Sequence, residues 1–465
     1  KIQDIWGRTC LEKPLQVLVS EELPAMMVTV DTKDALYIDK KGTDKKYAER
    51  GKVLLYDKEG NVELDAELEK IAVRGNTSAE LAKKPFRIEL KEPVSLCGMA
   101  ESAEWNLLAN AKDGSHIRNK ILLDWAGELG EDYNVGCEFL ELFVNGEYQG
   151  LYLLTETIAV GDNKLEIDED NSVLAEMELY YRAVEEDYYL ATERQHHWVI
   201  HSDQYVSKEK MEQIEEHFNE IESALYAEDG RGENTGRSLQ GLIDFDSWTD
   251  AWLLEEIGSD VDLGTTSQFA YMEDWDGRSV LKAGPEWDFD VTLGNTNLEV
   301  FLNPRNLVAA IPNTKGIECI TQNVWLSAMY ENEAFREMLL DKFKTEIRPK
   351  ISRLLEYEID DYVEKIRRAS LLDSLKWREI EGIYSRIEAE AAEPAQDYRK
   401  FDYIDSEVEC LKQFLREKEK FLVELWIEGV EFDVIIEERN GPGMNLELNN
   451  DIYTWIRKDK KTQEE

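Results

Sequence analysis

Phe139-Leu140-Glu141-Leu142-Phe143-Val144-Asn145-Gly146-Glu147-Tyr148 places an Asn-Gly pair between two apolar runs, the second continuing from Tyr148 to Leu154 and ending at Thr155-Glu156. Asn-Gly at such a junction favours a type I′ turn, so the stretch predicts a β-hairpin. Upstream, Met26–Val30, Val53–Tyr56 and Ile71–Val73 read as further strands, with a Gly60-Asn61 turn between the last two. Phe86-Arg87-Ile88-Glu89-Leu90 alternates with period two, which puts Phe86, Ile88 and Leu90 on one face. Asp113-Gly114-Ser115 offers a helix N-cap before Ile117, Ile121, Trp125 and Leu129, spaced by four along one helix face. Ser172–Met177 reads as one more strand.

Further along, the periodicity becomes helical. Ser207–Tyr226 is amphipathic, and Asp246-Ser247 caps a helix carrying Trp248, Trp252, Leu253 and Ile257. Residues 258–297 form an irregular stretch dense in Asp and Gly. Helices are expected again at about 333–366, 375–393 and 405–428, the last with a stripe of Val408, Leu411, Leu415, Leu422 and Leu425. The expected organisation is α+β: a sheet-rich region over 1–185, a mainly helical region with Asp-rich loops over 186–430, and a tail over 431–465. Two lobes of this kind suit a cleft between them.

Composition narrows the function. Across 465 residues, 54 Lys+Arg stand against 99 Asp+Glu, a net charge of −45. A surface this negative repels a phosphate backbone, which argues against nucleic acid as a partner and favours divalent cations and basic proteins. Five widely spread Cys without a CxxC pair exclude a zinc ribbon or redox pair. No apolar run approaches the roughly 20 residues of a membrane span. The sequence begins at Lys1 rather than Met, and no targeting segment is visible in it.

Neither GxxxxGK[ST] nor GxGxxG occurs, so a nucleotide has to be held in another way. Arg74-Gly75-Asn76-Thr77-Ser78 follows a strand and supplies the means. Gly75 permits close backbone approach, Asn76 tolerates a left-handed conformation, Ser78 and Thr77 carry hydroxyls, and Arg74 presents a fork of donors. Lys83-Lys84 adds two cations, and Lys84, preceding Pro85, enters the next strand extended. The second constellation is acidic. Asp260 and Asp262 follow a helix, and Gly284-Pro285-Glu286-Trp287-Asp288-Phe289-Asp290 comes about twenty-five residues later. Read as extended chain, Asp288 and Asp290 share a face opposite Trp287 and Phe289, and two such carboxylates call for a Mg²⁺ or Mn²⁺ ion between them. Among the histidines, His196, His197 and His201 fit no standard metal spacing and read as an exposed strand edge.

These residues resemble the CotH family, the spore-coat-protein-H type of atypical protein kinases. The resemblance rests on Arg74–Ser78 with Lys83-Lys84-Pro85-Phe86-Arg87, and on Leu107-Leu108-Ala109-Asn110 through Asp113 to Arg118-Asn119-Lys120. It continues in Val144–Tyr152 with Glu156, and in Trp287–Asp290 with Gly294-Asn295. It implies a divergent, two-lobed kinase-like fold that binds ATP with Mg²⁺ and phosphorylates Ser or Thr of a coat or secreted protein. By position it makes Lys84 the lysine on the phosphates, with Lys83 its rival, and Asp262 the aspartate that receives the hydroxyl proton, with Asp260 its rival. Asp288 becomes a metal ligand, with Asp290 beside it. Glu156 falls next to the adenine, and Arg118 or Asn119 falls on the helix that braces the phosphate-side lysine. Where kinases carry a metal-binding Asn five positions after the catalytic Asp, this chain has Ser267. Two alternatives stay open: a non-catalytic coat or surface scaffold, and a kinase-like fold that transfers AMP or an amino acid. The resemblance places the protein in a spore coat or at the cell surface.

Overall fold

The computed structural model describes residues 2–3, 9–11, 23–30, 48–130, 132–202, 205–276, 278–296, 298–311, 324–377, 403–437 and 452–458. Among these, β1 (Ala25–Val30), β2 (Glu49–Tyr56), β3 (Val62–Val73), β4 (Phe86–Val94), β5 (Ser102–Leu108), β6 (Cys137–Val144) and β7 (Glu147–Glu156) close into a barrel. The strand order is β1-β2-β3-β4-β5-β7-β6, and the parallel pairing of β1 with β6 shuts it. The Asn-Gly hairpin joins β6 to β7, with φ of +49° at Asn145 and +75° at Gly146, the two positive values a type I′ turn requires. Asn145 also fastens the closure, since its Oδ1 accepts from the Val30 amide at 2.8 Å. Phe86, Ile88 and Leu90 all point inward, as their period-two spacing predicts, and pack with Met26, Val53, Trp105 and Leu142. Ser102–Leu108, whose Ser102, Trp105, Asn106, Leu107 and Leu108 are all buried, lacks clean alternation and is a strand the sequence pattern did not announce.

Between β5 and β6 the chain forms α1 (Arg118–Leu129), which is buried on most sides, including at Arg118, Asn119 and Lys120. Asp113 serves the start of this helix, its Oδ2 accepting from the Arg118 amide at 3.0 Å. Beyond the barrel, β8 (Val173–Met177), β9 (Tyr189–Ala191), β10 (His197–His201), β11 (Phe269–Met272) and β12 (Lys282–Ala283) form an antiparallel sheet in the order β9-β10-β8-β11-β12. This second sheet crosses residue 185, the boundary expected between sheet-rich and helical parts. The histidines do not lie on an exposed edge: β10 has a neighbour on each side, and His196 and His197 are buried beside Trp198.

The other helices of eight or more residues among the described residues are α2 (Lys208–Tyr226), α3 (Phe245–Gly258), α4 (Val324–Glu331), α5 (Glu333–Lys342), α6 (Ile359–Trp377) and α7 (Tyr403–Leu422). Ser207 caps α2 by accepting from the Lys210 amide at 3.1 Å. The cap of α3 is Asp244, not the expected Asp246-Ser247 pair; its side chain accepts from the Ser247 amide at 2.8 Å. From α5 the chain stays helical through to the end of α6, with a wide π-turn over Phe343–Ile347 just ahead of Pro349. Proline cannot donate to the preceding turn, and a wider turn there accommodates its ring. A helix expected at 375–393 falls largely on 378–393, outside the described residues. Part of the expected tail is paired: Phe432–Glu437 and Ile452–Arg457 form two antiparallel strands, β13 and β14.

A buried ion pair ties α7 to α3. Lys418 Nζ lies 2.5 Å from Glu256 Oε1 and donates to the Asn306 carbonyl at 2.8 Å, while Glu256 Oε2 accepts from the Ala309 amide at 2.8 Å. Removing one member leaves the other charged and buried, at about 3–5 kcal/mol, whereas removing both is far milder. In urea titrations Lys418→Met is expected to lose stability of that order, and Lys418→Met with Glu256→Leu to recover most of it. Equal losses in the two variants would contradict this assignment.

Candidate active site

Two loops bring the expected aspartates together. The first leaves α3 through Ser259, left-handed at φ +46°, and turns at Asp262, whose carbonyl accepts from the Thr265 and Thr266 amides at 3.0 and 3.1 Å. Asp260 is fully buried, and its Oδ1 accepts from the Asp262 amide at 2.9 Å. Asp262 is only half-buried, which makes it the more accessible carboxylate of the pair.

The second loop, residues 284–295, is not the extended stretch its alternation suggested. Asp288 has φ +70°, a left-handed residue that breaks the two-residue repeat. Phe289 is fully buried and anchors the segment, but Trp287 instead lies under the Arg74 guanidinium, 5.3 Å from ring centroid to Cζ. Strain of this kind persists only where neighbours over-determine it, and here α1 does so. Asn119 Oδ1 accepts from the Phe289 amide at 2.8 Å, and Arg118 Nε donates to the Thr292 carbonyl at 3.0 Å. Asn295 Nδ2 bridges the Asp290 and Lys112 carbonyls at 2.7 and 3.0 Å.

The result is electrostatic crowding. Burial, followed by the charge of Asp288, pushes the Asp262 carboxyl up to about 7, and the same two causes push Asp290 up to about 7. Ser267 Oγ donates to Asp288 Oδ2 at 3.4 Å, so the serine expected beside the metal does stand at that carboxylate. Behind them Glu255 and Glu286 are also buried and pushed up, Glu286 to about 8. Among the described residues, no three or more His, Cys, Asp or Glu side chains form a ready-made cage for a metal ion. The donor set nevertheless suits a hard cation, because the groups that raise one another's proton affinity are all carboxylates.

The cations that meet this cluster were only partly anticipated. Burial lowers the Arg74 guanidinium's hold on its proton, and Asp288 beside it opposes that change. Lys112 and Arg182 each help to lower Asp262, and Lys112 does the same for Asp290. Lys112 also ties the phosphate-binding candidate to the site, donating to Thr77 Oγ1 at 2.8 Å. In that turn the left-handed residue is Gly75 (φ +83°) rather than Asn76; a Cβ on Gly75 would lie 2.3 Å from Ser78 Oγ. Asn76 is exposed. Lys84 Nζ donates to the Ala79 carbonyl at 2.8 Å. Lys83 is buried, 2.6 Å from Asp373 Oδ1 and donating to the Leu151 carbonyl at 2.6 Å. Arg118 is bound to Asp113 and the 292–293 carbonyls and braces the loop.

Glu156 sits apart from the aspartates at the end of β7. Its Oε2 accepts from the Gly136 amide at 3.0 Å and the Tyr133 hydroxyl at 3.2 Å, while its buried Oε1 has no hydrogen-bond partner. It lines a cavity of about 520 Å³ with Met99, Ala100, Tyr133 and Lys164.

A sequence model described as CotH kinase protein matches residues 71–422. The chain belongs to this family. It is also similar to the inner spore coat protein H of Bacillus subtilis (strain 168), with 35% identity over 88 residues. That alignment covers 19% of this chain and 23% of the Bacillus protein. The family match begins in β3 and ends with α7, so it takes in every aspartate and cation described above.

Folded-state values near 7 for Asp262 and Asp290 exceed the ordinary aspartate range, so the native state holds extra protons between about pH 4 and 7. Stability therefore falls as pH rises through that window. In EDTA, Tm is expected to be higher at about pH 5.5 than at about pH 7.5, and Asp262→Asn with Asp290→Asn should narrow the gap. Added Mg²⁺ should raise Tm more at the higher pH. A gap that neither the substitutions nor Mg²⁺ alters would contradict this reading of the cluster.

Proposed function

We propose that this CotH-family protein transfers the γ-phosphoryl group of ATP to a hydroxyl of a protein, Ser or Thr, and that the barrel and the remainder act as the two lobes of a kinase-like enzyme. The observation that carries the reading is the convergence of Asp262, Asp288 and Asp290 opposite Arg74 and Lys112. Phosphoryl transfer asks a protein mainly for positioning and charge neutralisation, and these groups supply both.

In this reading Asp288 and Asp290, with the Ser267 hydroxyl, would hold Mg²⁺ or Mn²⁺. The ion supplies neutralisation of phosphate charge when bound. Arg74, Lys112 and the Gly75–Ser78 turn face the phosphates. Asp262, with a proton affinity near neutrality, accepts the proton of the acceptor hydroxyl as its oxygen bonds to the γ-phosphorus and the bond to ADP breaks. The unpaired Oε1 of Glu156, on its cavity, suits an amino group such as that of adenine. The spore-coat relative makes a coat protein the proposed substrate and the spore coat the proposed location, and the net charge of −45 favours a basic one.

One observation favours a scaffold without catalysis: Lys83 and Lys84 both donate to the protein's own carbonyls. The two readings part in a labelling experiment with Mg²⁺ and a protein acceptor. Phosphotransfer predicts label from γ-labelled ATP, reduced at least about 100-fold in Asp262→Asn and in Asp288→Asn. Label arriving only from α-labelled ATP would mean transfer of AMP, and no label with no thermal shift by Mg-ATP would leave the scaffold.

A further inference from the structure

Asp373, near the end of α6, is buried against the barrel 222 residues away in sequence from its partner on β7. Its Oδ1 lies 2.6 Å from Lys83 Nζ and accepts from the Leu151 amide at 2.8 Å. The carboxylate occupies the place of a missing side chain: a Cβ on Gly150, whose φ is +122°, would lie 2.1 Å from that oxygen. One turn of the helix completes the contact, with Trp377 Nε1 donating to the Gln149 carbonyl at 2.7 Å and Lys376 Nζ 3.1 Å from Glu147 Oε1. On its other side, Asp373 Oδ2 is 4.0 Å from His116 Nε2, and His116 Nδ1 is buried without a hydrogen-bond partner.

His116 belongs to the loop that delivers Lys112 to the carboxylates. That loop is knotted on itself. Asn110 Nδ2 donates to the His116 carbonyl at 3.0 Å, the His116 amide to the Asp113 carbonyl at 3.1 Å, and the Asp113 amide to the Asn110 carbonyl at 3.1 Å. Two non-glycine residues in it are left-handed, Asn110 at φ +46° and His116 at φ +61°. Each such residue is unfavourable and needs neighbours to hold it. A pair of apolar side chains would fix α6 to the barrel as well as a buried ion pair does. It would not gather an ammonium and an amide on one oxygen with an imidazole beside the other.

We propose that Asp373 is a positioning residue of the site: from α6 it holds Lys83 and backs the buried His116 ring, and through that ring it sets the loop Asn110–Ile117 so that Lys112 faces Asp262 and Asp290. Its consequence for turnover rests on the phosphotransfer reading above; its consequence for the loop does not.

The test uses the full chain as wild type, as the charge-free double variant Lys83→Met with Asp373→Leu, and as His116→Leu, which leaves the ion pair in place. Thermal melting, amide exchange of residues 110–117 without nucleotide, and kcat and KM for ATP are measured on each. Both variants are expected to melt within about 5 °C of wild type. Exchange in 110–117 should rise at least about tenfold beyond any change elsewhere in the chain. With a misplaced cation, kcat should fall by about 100-fold while KM for ATP moves much less. Loop exchange that stays at the wild-type rate, or rises only in step with the whole chain, overturns the proposal. If the double variant does not fold, His116→Leu decides by the same exchange. If wild type transfers no phosphate, the phosphotransfer reading fails while the exchange result still judges Asp373.

Discussion

Three partly buried aspartates held near one another repel, and much of the surrounding structure serves to keep them there. Asp262 cannot swing away because its carbonyl closes the turn to Thr265 and Thr266. Asp288 cannot relax because Asn119 and the buried Phe289 ring fix the residue after it. The repulsion is therefore stored rather than released, and it appears as carboxyl groups that keep protons up to about pH 7. Such an arrangement lowers stability by itself, and the proposed cation would offset the repulsion.

The keystone of that arrangement is α1. It is threaded between β5 and β6, buried on most sides, and it offers polar side chains at its start to loops that come from far along the chain. Arg118 reaches the 292–293 carbonyls and Asn119 the Phe289 amide, while Asp113 ties the helix start to the loop bearing Lys112. The barrel contributes cations from one side, the segments around β11 and β12 contribute acids from the other, and α1 fixes the distance between them. The C-terminal helices are part of the same construction, since α7 grips α3 through Lys418 and α6 grips the barrel through Asp373.

Local chemistry made some of this legible in the sequence. Asn145-Gly146 announces its turn because few residues take two positive φ values in succession, and Phe86-Ile88-Leu90 announces an inward face because strand geometry alternates. The amphipathic period of Ser207–Tyr226 announces a helix. Asp262 and Asp288 could be singled out by family resemblance, with Ser267 standing where kinases carry an Asn; in the structure Ser267 Oγ meets Asp288, and the charge of Asp288 acts on Asp262. What stayed hidden was whatever long-range packing decides. Nothing near Lys83 in sequence points to Asp373, and nothing near Lys112 points to Asp290. The left-handed Asp288 contradicts a two-residue repeat that looked regular, because tertiary hydrogen bonds outweigh the local preference of four residues. His196 and His197 looked exposed because polarity suggests it, yet a neighbouring Trp198 carries the strand into the core.

The most direct test is diffraction from crystals soaked with Mn²⁺ and a non-hydrolysable ATP analogue, using the anomalous signal of manganese. The account predicts a manganese peak at about 2.1–2.2 Å from carboxylate oxygens of Asp288 and Asp290, with the nucleotide phosphates beside Arg74 and Lys112. An analogue and metal absent from this place, with Asp262, Asp288 and Asp290 unmoved at saturating concentrations of both, would contradict it.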